Sequence, residues 1–150
     1  MRAYFFTNFY LNTISQGIQP AHCIVDMMVH YNQNKPNSFA TESLNEWARD
    51  HKTIICLNGG AHQDIEEIHQ ELILIGTCLG LPVGSFSEDQ YSLGGIKTCC
   101  GIIVPAPIYN LAASKTFDVD AYSFDESGEP TYLAAEIALA TLTRSCSLAR

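Results

Sequence analysis

From Ala3 to Tyr10 the chain is aromatic-rich and free of charge, then it breaks into the polar stretch Leu11 to Gln16 before apolar residues resume at helical spacing. An uncharged run of this length has no wet face, so it reads as a central strand covered on both sides. Ile18, Ala21, Val25 and Met28 then recur turn by turn. Pro20 is tolerable only in the first turn of a helix, which puts the predicted helix start close to Gln19. A strand that gives way to a helix in this manner is the unit of an α/β domain. Its junction concentrates free backbone N–H groups, which is where such proteins place ligands.

The rest of the chain repeats the alternation. Tyr31 to Phe39 is a polar loop, and a second helix capped by Thr41 runs to His51, burying Leu44, Trp47 and Ala48. Thr53 to Leu57 is a second buried strand. The Asn58-Gly59-Gly60 that ends it reads as a tight turn, because it lacks the spacing of a phosphate loop. Asp64 to Glu67 has the pattern of a capping box with Asp64 as the cap, and Ile65, Ile68, Leu72, Ile75 and Leu79 form one apolar stripe that Gly80 stops. Pro82 to Phe86 and Thr98 to Val104 are the third and fourth strands, joined by a loop from Ser87 to Lys97. After a short helix from Ile108 to Ala113, Phe117 to Phe124 alternates apolar and acidic residues, as a strand with one wet face does. An acidic turn leads to a helix from Tyr132 to Thr143, with Leu133, Ile137, Ala140 and Leu142 as its buried positions.

With 150 residues the chain is long enough for one domain with a full core. Its 47% hydrophobic and 16% charged residues suggest that part of the surface is covered by another subunit. A homo-oligomer is expected, most simply a dimer, with Tyr132 to Leu142 or the Phe117 to Phe124 strand at the contact. The net charge of −8, with only eight Lys and Arg, supplies no cationic footprint for a long nucleic acid. A small nucleotide needs only backbone N–H groups and one or two cations. Of the six cysteines, Cys23, Cys56 and Cys78 sit in apolar runs as core residues do, and Cys99 and Cys100 point to opposite faces of a strand. With no Cys-x-x-Cys and no charged-then-apolar leader, the expectation is reduced thiols, no metal or cofactor, and a cytoplasmic protein without a membrane span.

The segment from Thr7 to His22, a strand that ends in a polar loop and a helix carrying Gln19-Pro20-Ala21-His22, resembles the opening of the type II peptidyl-tRNA hydrolases. The resemblance continues through Leu44 to Asp50 with its Trp47, Lys52 to Leu57, the amphipathic Asp64 to Leu79, the Gly80-Leu81-Pro82-Val83 entry to the third strand, and Gly101 to Pro107. It implies a three-layer α/β fold with a mixed four-stranded sheet and helices on both faces, over residues 1–113. Residues 114–150 would then be a strand-helix extension on the sheet edge or at a subunit contact. The family's loop lysine has no counterpart, since no lysine precedes Lys35.

The same resemblance assigns candidate roles. The family's catalytic loop Asp falls on Asp89, or on Glu88 if the loop is one residue shorter, and its Ala-x-His on His22, which Asp26 one turn away would orient. Asn8 stands where the family has an Asp, giving a neutral donor and acceptor. Thr13, Ser15, Gln16 and Gln19 line the junction, Ser92 and Thr98 face it, and Lys97 is the one nearby cation able to replace the missing lysine. Three functions remain open on these residues. The chain binds a small nucleotide-derived ligand, as would suit a viral protein acting on nucleotide immune signals. Alternatively it hydrolyses peptidyl-tRNA or a nucleotide phosphodiester with Asp89, Glu88, His22 and Lys97, or it is a purely structural oligomer.

Overall fold

The computed structural model describes residues 1–114 and 133–149. Strands β1 (Arg2–Thr7), β2 (Ile54–Asn58), β3 (Val83–Ser87) and β4 (Lys97–Val104) form one sheet in the order β2-β1-β4-β3. β1 pairs parallel with β2 and antiparallel with β4, and β3 is antiparallel to β4, so the sheet is mixed. The charge-free first run is central, as its composition requires. Its pleat divides it: Ala3 and Phe5 join one buried cluster, Tyr4 and Phe6 the other.

Helices α1 (Thr13–Asn34) and α2 (Phe39–Glu46) cover the first face, with Cys23, Met27, Tyr31, Leu44 and Trp47 packed on Phe5, Cys99 and Ile103. Helices α3 (His62–Leu79), α5 (Ala106–Ala113) and α6 (Ala134–Ser145) cover the second through Ile65, Leu72, Ile75, Ile108, Leu139 and Ala140. The four-residue α4 (Gln90–Leu93) interrupts the loop expected between β3 and β4. Cys99 and Cys100 do face opposite sides, and burial pushes both thiols up, which keeps them neutral. Cys78, expected in the core, is exposed on α3.

Several boundaries differ from expectation for identifiable reasons. α1 begins at Thr13, not near Gln19, because the Asn12 side chain caps it by accepting from the Ser15 N–H at 2.9 Å. Gln16 Nε2 also clamps the first turn by donating to the Leu11 carbonyl at 2.8 Å, and Pro20 is accommodated inside the helix. Thr13, Ser15 and Gln16 are therefore helical. The polar Tyr31 to Asn34 continues α1 instead of forming a loop. Ser38, not Thr41, caps α2; Thr41 Oγ1 donates instead to the Lys35 carbonyl at 2.6 Å. α2 runs on into a π-helical turn, Trp47–His51, closed by Lys52 in the left-handed region at φ 54°. Ala61 is the cap position of α3, and Asp64 is the residue that reaches back, accepting from the Ala61 N–H at 2.7 Å.

The expected strand from Phe117 to Phe124 lies outside the described residues. What reaches the sheet is the segment after α6: Leu148 bridges Leu57, the Asn58 N–H donates to the Ser147 carbonyl at 2.8 Å, and the Ala149 N–H to the Cys56 carbonyl at 3.0 Å. A few tail residues thus occupy part of the open edge of β2. No helix among the described residues is long and apolar enough to cross a membrane.

Candidate functional site

Backbone hydrogen bonds tie three segments together where β1 ends. The Asn8 N–H donates to the Thr98 carbonyl at 3.1 Å, the Phe9 N–H to the Gly60 carbonyl at 3.1 Å, and the Gly59 N–H to the Thr7 carbonyl at 2.9 Å. The end of β1, the turn after β2 and the start of β4 are held as one rim. Asn8 is only 7% exposed; its Oδ1 accepts from the Tyr10 N–H at 2.9 Å, and its Nδ2 has no partner among the described residues.

Gln16 and Gln19, both buried, lie one turn apart on α1 and serve opposite sides of this rim. Gln19 is a hub. Its Nε2 donates to Glu88 Oε1 at 2.7 Å, and its Oε1 accepts from Thr98 Oγ1 at 3.2 Å, so one carboxamide joins α1 to the end of β3 and the start of β4. Gln16, after donating to Leu11, has its Oε1 without a partner among the described residues. It lines a cavity of about 480 Å³ with Phe9, Asn58, Ser147, Leu148 and Ala149. Asn58 accepts from the Gly60 N–H at 2.9 Å, which leaves its amide donors for the cavity. The cavity lies outside the carboxyl ends of parallel β1 and β2, the usual position for a ligand in an open α/β sheet.

A bulge decides where Lys97 goes. Ser87 sits opposite Lys97 and Phe86 opposite Cys99, so Thr98 is the extra residue on β4. Thr98 and Cys99 both serve the α1 face, and Lys97 crosses to the α3 face. There its Nζ lies 2.7 Å from Glu66 Oε2 and 2.7 Å from His69 Nδ1. The hydrogen bond from Lys97 holds the Glu66 carboxyl below its ordinary range. Burial, and next the Lys97 ammonium, lowers His69, so a neutral imidazole accepts at Nδ1 and carries its proton on Nε2.

The remaining candidates separate. His22 is exposed and stacks on Phe86, ring centroids 4.7 Å apart, and forms no ion pair with Asp26 among the described residues. Asp89 Oδ1 accepts from the Tyr91 N–H at 2.7 Å and its carbonyl from the Leu93 and Gly95 N–H groups, which shapes the turn into α4. Thr13 is exposed and Ser15 half-buried. The side chain of Ser92 lies outside the described residues. Asn8, Gln19, Glu88 and Thr98 are gathered at one rim with Gln16 beside them; Lys97, His22 and Asp89 each serve a different neighbourhood.

Phe9, Asn58 and the tail complete the cavity and were not among the residues singled out by sequence. Asn58 carried a visible signal in its glycine pair, whereas nothing local marks Ser147 to Ala149. No cluster of three or more His, Cys, Asp or Glu suited to a metal ion occurs among the described residues. Compared with models of known protein families and with curated proteins, the chain matches none.

Proposed function

We propose that this chain binds a small polar molecule of nucleotide type at the carboxyl ends of β1 and β2, as a divergent relative of the type II peptidyl-tRNA hydrolases that lacks the loop lysine and sequesters its ligand instead of cutting it. The observation that carries the reading is the cavity beside Gln16 and Asn58, whose amide groups keep unused hydrogen-bonding capacity at a rim that also buries Asn8. Amide groups with unused hydrogen-bonding capacity beside a cavity are where a ligand's own polar edge can be met. Amides read the donor and acceptor pattern of a base or ribose. The exposed Phe9 and Tyr10 rings, 3.9 Å apart, offer a surface for stacking.

Hydrolysis by Asp89, Glu88, His22 and Lys97 would need acid, base and cation around one substrate atom. Here Glu88 is held by Gln19, Asp89 by its own turn, and Lys97 by Glu66 and His69 across the sheet. Binding is the reading these partnerships support. With no cation aimed at the rim among the described residues, turnover of a defined peptidyl-tRNA is expected at least about a hundredfold below that of an ordinary family member, the usual cost of one electrostatic catalytic donor. Equal rates would reject the binding-only reading.

Two measurements test the proposal directly. Mass spectrometry of what the purified protein releases on heating should find a nucleotide-derived compound. Calorimetry with a panel of nucleosides and mononucleotides should show Gln16→Ala, Asn58→Ala and Asn8→Ala each weakening binding by about 1–3 kcal/mol, the consequence of stranding a buried polar partner. Unchanged affinity in all three would mean that the ligand sits elsewhere.

A further inference from the structure

Helix α1 is apolar on both of its long faces. Cys23, Met27 and Tyr31 point into the core, while Ile14, Ile18, Ala21, Val25 and Val29 point away from it, with Ile14 76% and Val25 60% exposed. The outward apolar strip runs beside the exposed polar stripe of His22, Asp26 and His30, and an open apolar strip of this length marks a contact surface. The outward residues Ile14, Ile18, Ala21 and Val25 follow the alternating four-and-three spacing of a coiled-coil seam.

We infer that this outward face is an interface between two copies of the chain. Charge selects that occupant. The protein carries a net −8, yet α1 holds no Lys or Arg and a single carboxylate, Asp26. Two acidic chains meet little repulsion across a face with one carboxylate, and a basic partner would find no acidic row here to match. Gly17 points the same way. A side chain there would meet nothing within 4 Å, so no contact within the chain requires a glycine in the helix interior, where it weakens the helix. With Ala21 one turn on, it lets a second backbone approach closely.

Size sets the strength. At 22 residues α1 is about 33 Å long and about 11 Å wide. Its outward apolar residues, Ile14 to Val29, occupy about 23 Å of that length, a strip smaller than a standard interface, so the dimer is weak and reversible. Of the two segments where the contact was expected, the C-terminal helix buries Leu139 and Ala140 within its own chain, and Phe117 to Phe124 lies outside the described residues.

Sedimentation equilibrium of the full chain across the micromolar range tests the interface. The wild type should pass from one to two chain masses, and Ile18→Glu and Val25→Glu should each weaken association by about a hundredfold, by burying an unpaired charge. Leu74→Glu, at an equally exposed apolar position on α3, should leave association unchanged. Because all three positions are exposed, melting temperatures of the monomers should stay close to wild type. Gly17→Ala separates interface from fold: it should raise the monomer's melting temperature and weaken the dimer. A single chain mass at high micromolar concentration, a dimer that survives both glutamates, or equal loss with Leu74→Glu would overturn the inference.

Discussion

Lys97 and Thr98 are neighbours in the chain, yet they leave β4 on opposite faces and enter clusters of opposite character. On the α1 side, Thr98 joins Gln19 and Glu88 in a network of a hydroxyl, an amide and one carboxylate. On the α3 side, Lys97 joins Glu66 and His69 in a compact charged cluster. One turn before Gln19, Gln16 lines a cavity with open amide groups, and in the second cluster the cation already has two partners. The contrast teaches that the charged residues nearest a strand end need not belong to its cleft. Here the bulge at Thr98 separates the amide and hydroxyl network of α1 from the charged groups that hold β4 on α3.

The strongest way to break that separation is to move β4 itself. A side chain at Gly101 would overlap the Phe5 ring and press on the Tyr4 carbonyl, which its Cβ would approach to 2.7 Å. Gly101→Val should therefore destabilise the fold by about 3 kcal/mol through overpacking. Urea denaturation would measure it, and a loss within error of zero would mean that the sheet tolerates a shift the two clusters do not need.

Gln19→Ala attacks only the amide cluster. It strands Glu88 and Thr98 on a buried rim and should cost about 2 kcal/mol in stability and weaken ligand binding as well. If stability falls but affinity for a bound nucleotide does not, the network is structural and the site is confined to the cavity.

Lys97→Met is the complementary change. It removes an ion pair whose glutamate is about half exposed, so the stability loss should stay below about 1 kcal/mol, with ligand affinity unchanged. A loss of affinity here would show that the cation does act across the sheet.

The smallest expected effect is in pH. His69 has its folded value lowered, so the unfolded chain binds more protons, and the stability from the neutral imidazole is complete above the ordinary histidine value and declines as pH falls below it. Thermal melts between neutral and mildly acid pH should show this decline in the wild type and less of it in His69→Gln. Parallel curves for the two proteins would remove His69 from the charged cluster.

Much of the architecture was legible because it rests on short-range pattern. The charge-free first run, the stripe from Ile65 to Leu79 and the left-handed Gly80 are consequences of burial and of local backbone chemistry, and each is found in the structure, except that the strand stops at Thr7 and leaves Phe9 and Tyr10 exposed. The start of α1 departs from the first-turn rule for Pro20 because the Asn12 cap and the Gln16 clamp extend the helix seven residues before the proline. The rim residues Asn8, Gln19, Glu88 and Thr98 were recognisable by position at strand and helix ends. Their grouping into one network, and the absence of Lys97 from it, were not.

The amino-acid order alone therefore settled that this is an α/β chain of alternating strands and helices, since burial period and turn chemistry are written within a few residues of each element, whereas the mixed strand directions belong to the folded sheet. It also settled that the candidate rim is rich in amides and poor in cations. Which face Lys97 takes depends on a one-residue register shift between β3 and β4, a property of two strands paired across a loop and of neither strand alone. The cavity wall formed by Ser147 to Ala149 depends on pairing with β2, about ninety residues earlier in the chain. Such contacts become favourable only when distant segments are already packed, and so they are decided by the folded core and leave no local mark.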